Sequence, residues 1–297
     1  MKRFILGHGV AKAGTTWIWD YIKNGSNVKF PNRLTNEYQK EMKLWPNFTS
    51  IGVRKNKAYE LLGLRLLPSL MSPRLIFDLA LHWQLKRRFI RSDGEYYFTY
   101  CAHLLKNDGI LADMTPAHAF LNKETCQRIM HSFEKGGISF RALYSMRDPV
   151  RRAVSHYSMV LESYGPAKYL LLDQLDPSLK NNVNEAFLAF MKWESQMEFA
   201  NYKKTIDTLS AAYPEEQRMF VLFEEMIRGV KLRELSDFLG VSYRPEAIAT
   251  STNPRRALEL DEEIAQECAQ LYRPTYEAMA KMFPQTETLW SGWKYLR

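Results

Sequence analysis

Cysteine is scarce in this chain of 297 residues, and its scarcity excludes two classes of protein. The three cysteines, Cys101, Cys126 and Cys268, are widely spaced and odd in number. They provide neither a disulfide framework nor the paired spacing of a zinc site, which favours a reducing compartment. No uncharged apolar run reaches the ~18 residues of a transmembrane helix, and the run after Arg3 is too short for a signal peptide. We therefore expect a soluble, cytoplasmic protein.

Repeats and low-complexity tracts are also missing, and the remaining composition is that of a globular protein. Apolar residues make up 46% of the chain and aromatic residues 13%, which is enough for a sizeable core and unlike a disordered chain. Short apolar runs alternate with helical patterns, and this alternation predicts an α/β fold with a parallel central sheet. The main helical patterns cover 15–23, 183–211, 225–239 and 261–282.

A loop rich in glycine and hydroxyl groups follows the first apolar run. Gly9 and Gly14 enclose four residues that include Lys12, and Thr15 and Thr16 open the first helical pattern. A strand, a tight loop and a helix present backbone N–H groups and a helix N-terminus to an anion. The threonines can cap the helix and donate hydroxyls to phosphate oxygens. An ordinary turn with a solvated lysine is the alternative, but the combination favours a phosphate site.

The spacing of this loop differs from that of ATP- and GTP-binding loops. Those loops place the lysine directly after the second glycine, whereas this chain has Thr15 there and Lys12 two residues before Gly14. The loop instead resembles the K-x-G-T-T-W loop of sulfotransferases that use 3′-phosphoadenosine 5′-phosphosulfate (PAPS). In that family the lysine contacts the bridging oxygen. The resemblance implies that the 5′-phosphosulfate is held by Lys12-Ala13-Gly14-Thr15-Thr16-Trp17.

A second motif follows a predicted strand over 140–146. Asp148 and Pro149 are typical of a helix start, an acidic cap followed by proline at the first position. Arg147 at the strand end and Ser155 on the second turn of this helix can converge on one dianion. The run from Arg147 to Tyr157 also resembles the R-D-P-x-x-R-A-x-S-x-Y motif of the same sulfotransferases. The resemblance implies that Arg147 and Ser155 bind the 3′-phosphate of PAPS.

The general base is left open among three residues. Lys40-Glu41 resembles a segment of heparan-type and many bacterial sulfotransferases whose glutamate is the proposed base, so Glu41 is the first choice. A solvated Lys-Glu pair on a helix surface is the alternative. Asp113 and His118, the second choices, lie in a segment that resembles another pattern of that branch. Met114 stands where the heparan enzymes carry a lysine, so this chain lacks that positive group.

Residues 54–91 carry nine basic and two acidic residues, a net charge of +7 out of +8 for the whole chain. Pro68 and Pro73 divide the segment into shorter helical patterns. We predict a helical insertion, and three roles stay open: a cover that faces an acidic acceptor, a membrane-surface contact, or a solvated face. Asn253-Pro254-Arg255-Arg256 forms a basic loop where the family often supplies a last nucleotide contact.

Taken together, the resemblance implies a three-layer, P-loop-like α/β fold, with 1–297 as one sulfotransferase domain and an insertion at about 54–91. The implied reaction moves the sulfuryl group of PAPS to the hydroxyl of a glycan, glycolipid or small alcohol. It releases adenosine 3′,5′-bisphosphate (PAP) and needs no metal. The alternatives are a P-loop kinase or NTPase, and a nucleotide- or polyanion-binding protein without activity. No nucleic-acid-binding module is recognised.

Overall fold

A computed structural model describes residues 1–25, 28, 92–163, 183–249 and 260–297. Four strands form one parallel sheet in the order β2-β1-β3-β4. They are β1 (Lys2–Gly7), β2 (Gly109–Asp113), β3 (Ser139–Met146) and β4 (Arg218–Leu222). Leu6 pairs with Asp113 on one side and with Ala142 on the other, so the strands end along the same edge of the sheet. The predicted parallel sheet is confirmed.

Helices cover both faces of this sheet. They are α1 (Thr15–Lys23), α2 (Glu95–Leu104), α3 (Lys123–Lys135), α4 (Pro149–Ser163), α5 (Val183–Met191), α6 (Glu194–Ala200), α7 (Tyr202–Ala212), α8 (Phe223–Met226), α9 (Leu232–Leu239), α10 (Glu262–Leu271), α11 (Arg273–Met282) and α12 (Thr286–Leu289). Short 3₁₀ turns lie at Pro116–Phe120, Glu215–Gln217, Pro245–Ala249 and Ser291–Tyr295. Along β1, Phe4 and Leu6 pack in the core that includes α2, α3 and α7, whereas Ile5 packs with α1 and α9. Successive side chains of a strand point to opposite faces, and the result is the predicted three-layer architecture.

Three helical patterns that the sequence predicts as continuous are divided: 183–211, 225–239 and 261–282. Asn201 ends α6, and its side chain caps α7 by accepting a hydrogen bond from the Lys204 N–H at 3.3 Å. Gly229 and Lys231 have φ angles of 75° and 60°, which a helix cannot contain, so α8 and α9 are separate. Pro274 lies in the first turn of α11, where its missing N–H costs nothing. The apolar periodicity continues across each break, so the sequence pattern does not show where one helix ends and the next begins.

Some sequence predictions concern residues outside the described part of the chain. They are the candidate base Glu41, the whole basic segment 54–91 and the basic loop 253–256. Within the described ranges, no helix combines the length and the apolar character that crossing a membrane requires. All three cysteines fall inside those ranges, and each is a buried free thiol.

Candidate functional site

The loop between β1 and α1 approaches its neighbours too closely for a side chain at two positions. Gly14 has a φ angle of 85°, and a Cβ there would lie 2.3 Å from the Phe223 ring. A Cβ on Gly9 would lie 2.2 Å from Ser145 Oγ. Lys12 also adopts a positive φ, 70°. The loop is therefore a tight turn at the edge where the strands end, and it leads directly into the N-terminus of α1.

The two threonines of this loop are helical residues and not caps. Gly14 occupies the N-cap position of α1 without any side-chain capping hydrogen bond, and Thr15 and Thr16 follow as the first two residues of the helix. The capping prediction is wrong because the chain enters α1 through a left-handed glycine, which has no side chain to offer. Thr15 is buried and Thr16 is exposed. Trp17 is buried and stacks on Tyr21, with 5.4 Å between ring centroids.

Arg147 joins the second motif to this loop. It follows β3 directly, and its Nη1 donates a hydrogen bond of 3.1 Å to the carbonyl oxygen of Lys12. Its guanidinium lies 4.7 Å from the centroid of the Phe223 ring. Burial lowers the pKa of Arg147, and the nearby carboxylate of Glu224 opposes that shift. Ser155 is half-buried on the second turn of α4, the helix that starts two residues after Arg147.

Asp148 caps α4 as the sequence predicts. Its Oδ1 accepts hydrogen bonds from the Val150 N–H at 3.0 Å and from the Tyr276 hydroxyl at 2.6 Å. Its Oδ2 accepts from the Gly292 N–H at 2.8 Å, which reaches it from the C-terminal part of the chain. Pro149 is the first residue of the helix. Acidic caps at helix N-termini are stabilising, and this one also anchors the motif that carries Arg147.

Glu224 is a half-buried carboxylate close to Arg147, and sequence reasoning gave it no part in the site. Its Oε1 accepts a hydrogen bond of 3.0 Å from the Asp148 N–H, and its Oε2 accepts one of 3.1 Å from Trp290 Nε1. The pKa of Glu224 is raised to about 7: burial raises it most, the hydrogen bond from the Asp148 N–H lowers it, the Asp148 charge raises it and the Arg147 charge lowers it. The signal in the sequence was its position at the end of a predicted buried strand over 218–224.

A neutral histidine, also missed, lies on α4 one residue after Ser155. The buried Arg152 brings Nη1 and Nη2 to 3.4 Å from Gln196 Oε1. Because a guanidinium can only donate, that oxygen is an acceptor, and His156 Nδ1 at 3.1 Å from it must donate. Burial lowers the pKa of His156 to about 4, with contributions from the charges of Arg152 and Lys12. At neutral pH, Nε2 is therefore the acceptor nitrogen of this ring.

The two second-choice bases, Asp113 at the end of β2 and His118 in the 3₁₀ turn Pro116–Phe120, are completely buried. Asp113 accepts hydrogen bonds from the Tyr97 hydroxyl at 3.0 Å and from Thr115 Oγ1 at 2.6 Å. His118 Nδ1 donates to the Gly7 carbonyl oxygen at 3.1 Å. Neither side chain has any exposed surface. This geometry suits groups that hold the two strand ends together, and it gives an acceptor hydroxyl no direct approach.

His8 extends this buried polar cluster. Its Nδ1 donates to the His118 carbonyl oxygen at 2.9 Å, so its Nε2 accepts from the Tyr213 hydroxyl at 3.1 Å. Burial lowers the pKa of His8 from 6.5 to about 3, and the nearby His118 adds to the shift. The folded protein therefore contains a neutral imidazole at this position.

We expect His8 to make the protein less stable in mild acid. Below pH 6.5 the unfolded chain binds a proton at this residue and the folded protein does not, until the pH approaches about 3. The contribution to stability is thus complete above pH 6.5 and is lost as the pH falls, by up to about 1.4 kcal/mol per pH unit. Urea unfolding at about pH 7.5 and about pH 5 measures the loss.

The matched variants are His8→Asn and His131→Asn, the second being an exposed histidine of α3. His8→Asn should reduce the loss by the part that His8 contributes; His156 contributes in the same direction, and Glu224, whose pKa is raised by burial, contributes in the opposite direction. His131→Asn should leave it unchanged. An equal loss in wild type and His8→Asn would contradict the prediction.

One protein-family model and several solved structures are similar to this chain over most of its length. Residues 3–259 match the model of the sulfotransferase domain family. A search of curated proteins finds no match. Similar solved structures include a sulfotransferase from Alicyclobacillus acidocaldarius, at 15% identity over 95% of both chains and a TM-score of 0.45. Another is the sulfotransferase domain of the Synechococcus PCC 7002 olefin synthase, at 15% identity over 94% of both chains and a TM-score of 0.45. A third is the sulfotransferase domain from the curacin biosynthetic pathway, at 13% identity over 94% of this chain and 98% of that one, with a TM-score of 0.44.

The family match includes both motifs, the loop around Lys12 and the run that starts at Arg147. It also includes all four strands of the parallel sheet that brings those motifs to one edge. The chain belongs to the sulfotransferase domain family and is an enzyme of the sulfotransferase class.

Proposed function

We propose that this sulfotransferase takes the sulfuryl group from PAPS, transfers it to an acceptor hydroxyl and releases PAP. The observation that carries the proposal is the hydrogen bond of 3.1 Å from Arg147 Nη1 to the Lys12 carbonyl oxygen. It joins the two sequence motifs directly at one edge of the sheet. PAPS carries one anionic group at the 5′ position and another at the 3′ position, so neighbouring basic sites suit it.

Each motif has a separate task in this proposal. The residues from Lys12 to Trp17 hold the 5′-phosphosulfate, and Arg147 and Ser155 hold the 3′-phosphate. The acceptor oxygen forms a bond to sulfur while the bond from sulfur to the 5′-phosphate oxygen breaks. Lys12 balances the charge that develops on that leaving oxygen. Positioning and charge stabilisation then supply most of the rate enhancement, as in phosphoryl transfer.

Glu41 stays our first candidate for the base that takes the proton of the acceptor hydroxyl. We expect Glu41→Gln to lower turnover by about 10²–10⁴ while PAP affinity is unchanged, because the amide keeps the shape of the side chain and loses its basicity. Asp113→Asn is the comparison variant and should affect thermal stability more than turnover. Steady-state kinetics and melting curves measure both. If turnover falls in Asp113→Asn and not in Glu41→Gln, the assignment of Glu41 is wrong.

The proposal defines the acceptor by its chemical class only. A glycan, a glycolipid or a small alcohol fits, and the heparan-type branch is suggested only by Lys40-Glu41 and the segment 110–119. We also propose one domain over 1–297 in the cytoplasm, with the basic segment 54–91 on the acceptor side or at a membrane surface. A screen of these acceptor classes with sulfur-labelled PAPS tests the activity. Sulfur transfer to none of them, together with equal binding of PAP and ATP, would favour the kinase or NTPase alternative.

A further inference from the structure

Two consecutive residues after β4 contact both halves of the proposed nucleotide site. The Phe223 ring lies 4.7 Å from the Arg147 guanidinium, and it fills the space that a Cβ on Gly14 would occupy. The next residue, Glu224, accepts a hydrogen bond of 3.0 Å from the Asp148 N–H. The start of α8 therefore supports the loop of the first motif and the arginine of the second.

The peptide bond between Arg147 and Asp148 is held at both of its polar groups. Its carbonyl oxygen accepts a hydrogen bond of 2.7 Å from the Tyr202 hydroxyl, and its N–H donates to Glu224 Oε1 at 3.0 Å. Trp290 Nε1 in turn donates to Glu224 Oε2 at 3.1 Å, which fixes the carboxylate. A peptide plane fixed on two sides sets the direction in which the Arg147 side chain leaves the backbone.

Two carboxylates lie near the charge of Arg147, and they are held very differently. Asp148 accepts hydrogen bonds from five groups: Val150 N, Arg151 N, the Tyr276 hydroxyl, Ser291 Oγ and Gly292 N. Glu224 accepts one hydrogen bond on each oxygen from a side chain or backbone group of another element. Hydrogen bonds to a carboxylate stabilise its ionised form. Glu224 therefore has fewer hydrogen bonds that stabilise its ionised form.

We propose that Glu224 positions Arg147 for the 3′-phosphate of the nucleotide and takes up a proton from solvent when that phosphate binds. The proposal rests on the proposed function, in which Arg147 binds this phosphate. The negative charge of a bound dianion adds to the charges of Glu224 and Asp148 around Arg147, and protonation of Glu224 removes one of these negative charges. The proton converts the carboxylate to a carboxylic acid, and no bond to the nucleotide is made or broken.

The charged and titratable groups around Glu224 support this direction of the change. Arg147 and Asp148 face it from the β3–α4 junction, and Tyr202 faces it from α7. Tyr276 of α11 acts through Asp148, and Arg151 through Arg147. Burial already raises the pKa of Glu224 to about 7, and a neighbouring anion raises a carboxyl pKa further. Proton uptake should therefore be largest slightly above neutral pH.

Titration calorimetry with PAP and with adenosine 5′-phosphate tests the proposal without any acceptor. The measurement is made at about pH 7.5 in buffers with different ionisation enthalpies, because the dependence on buffer reports protons taken up on binding. At that pH the 3′-phosphate is already mostly a dianion, since its second pKa is about 6. We expect wild type to take up a substantial fraction of a proton with PAP and almost none with adenosine 5′-phosphate.

Glu224→Gln should abolish the proton uptake, because an amide does not take up the proton. It should also reduce the preference for PAP by about tenfold, because the amide has one acceptor oxygen in place of the two of the carboxylate. Glu225→Gln is the matched control: Glu225 is the next residue and is buried, and its Oε1 accepts a hydrogen bond from Gln285 Nε2 at 3.2 Å. It should behave as wild type. If Glu224→Gln does not fold, as judged by circular dichroism, the proton uptake of wild type with PAP and with adenosine 5′-phosphate still tests the inference.

Three results would overturn the inference. They are proton uptake that persists in Glu224→Gln, an equal loss of affinity for both nucleotides in that variant, and no PAP-specific uptake in wild type. A wild type that binds the two nucleotides equally would instead count against the proposed function itself. The preference of the wild type for PAP therefore separates failure of the proposed function from failure of this inference.

Discussion

Replacing Lys12 by alanine should lower kcat by about 10²–10³, the usual cost of removing one group that stabilises charge in the transition state. In the proposed reaction, negative charge builds on the 5′-phosphate oxygen as the bond to sulfur breaks. The ammonium group of Lys12 lies in the loop that would hold this phosphate. The interaction strengthens as charge develops, so its loss should affect kcat more than the KM for PAPS.

The backbone conformation of Lys12 makes a second variant necessary. Its φ angle is 70°, a left-handed conformation that alanine adopts less readily than asparagine. Lys12→Asn therefore removes the charge with less strain in the loop, and Lys203→Ala on the surface of α7 is the control for loss of one positive charge. Steady-state kinetics with melting curves measure all three. Near-normal kcat in both Lys12 variants would show that Lys12 is not the catalytic cation.

The local parts of this fold and site were readable from the sequence. A glycine-rich loop after a short apolar run, and an Asp-Pro pair after another, are determined by neighbours in the chain. The structure accordingly gives α1 the predicted bounds, 15–23, and starts α4 at Pro149. Alternating apolar runs and helical patterns were enough to predict a parallel sheet, because such connections place strands side by side.

The contacts that complete the site were not readable, because they join residues far apart in the chain. The Arg147 hydrogen bond to Lys12 spans 135 positions, and the Asp148 hydrogen bond to Glu224 spans 76. Periodicity shows that Glu224 follows a strand, but it does not show which loop that strand end faces. The neutral state of His156 likewise depends on Arg152 and Gln196, and only their packed positions determine it.

Replacing Arg147 by alanine should weaken PAP binding by at least about 30-fold, because removing one partner of a hydrogen-bonded charge pair, here Arg147 and the 3′-phosphate, costs about 2 kcal/mol or more. Adenosine 5′-phosphate should lose much less affinity, since it lacks the group that Arg147 binds in the proposal. The wild-type preference for PAP should therefore shrink in the variant. Truncation also leaves Glu224 without its neighbouring positive charge, so part of the loss should recover at lower pH, where Glu224 is neutral.

Arg147→Lys tests which property of the side chain is needed. Lysine keeps the charge but has no planar fork with which to contact the Lys12 carbonyl oxygen and a phosphate together, so it should restore only part of the affinity. Arg273→Ala, which removes a partly exposed arginine of α11 that pairs with Glu277, is the control and should bind both nucleotides as wild type does. Calorimetry with the two nucleotides measures each variant. A preference for PAP that is unchanged in Arg147→Ala would show that another group binds the 3′-phosphate. Equal binding of both nucleotides by wild type would remove the argument against an ATP-using enzyme.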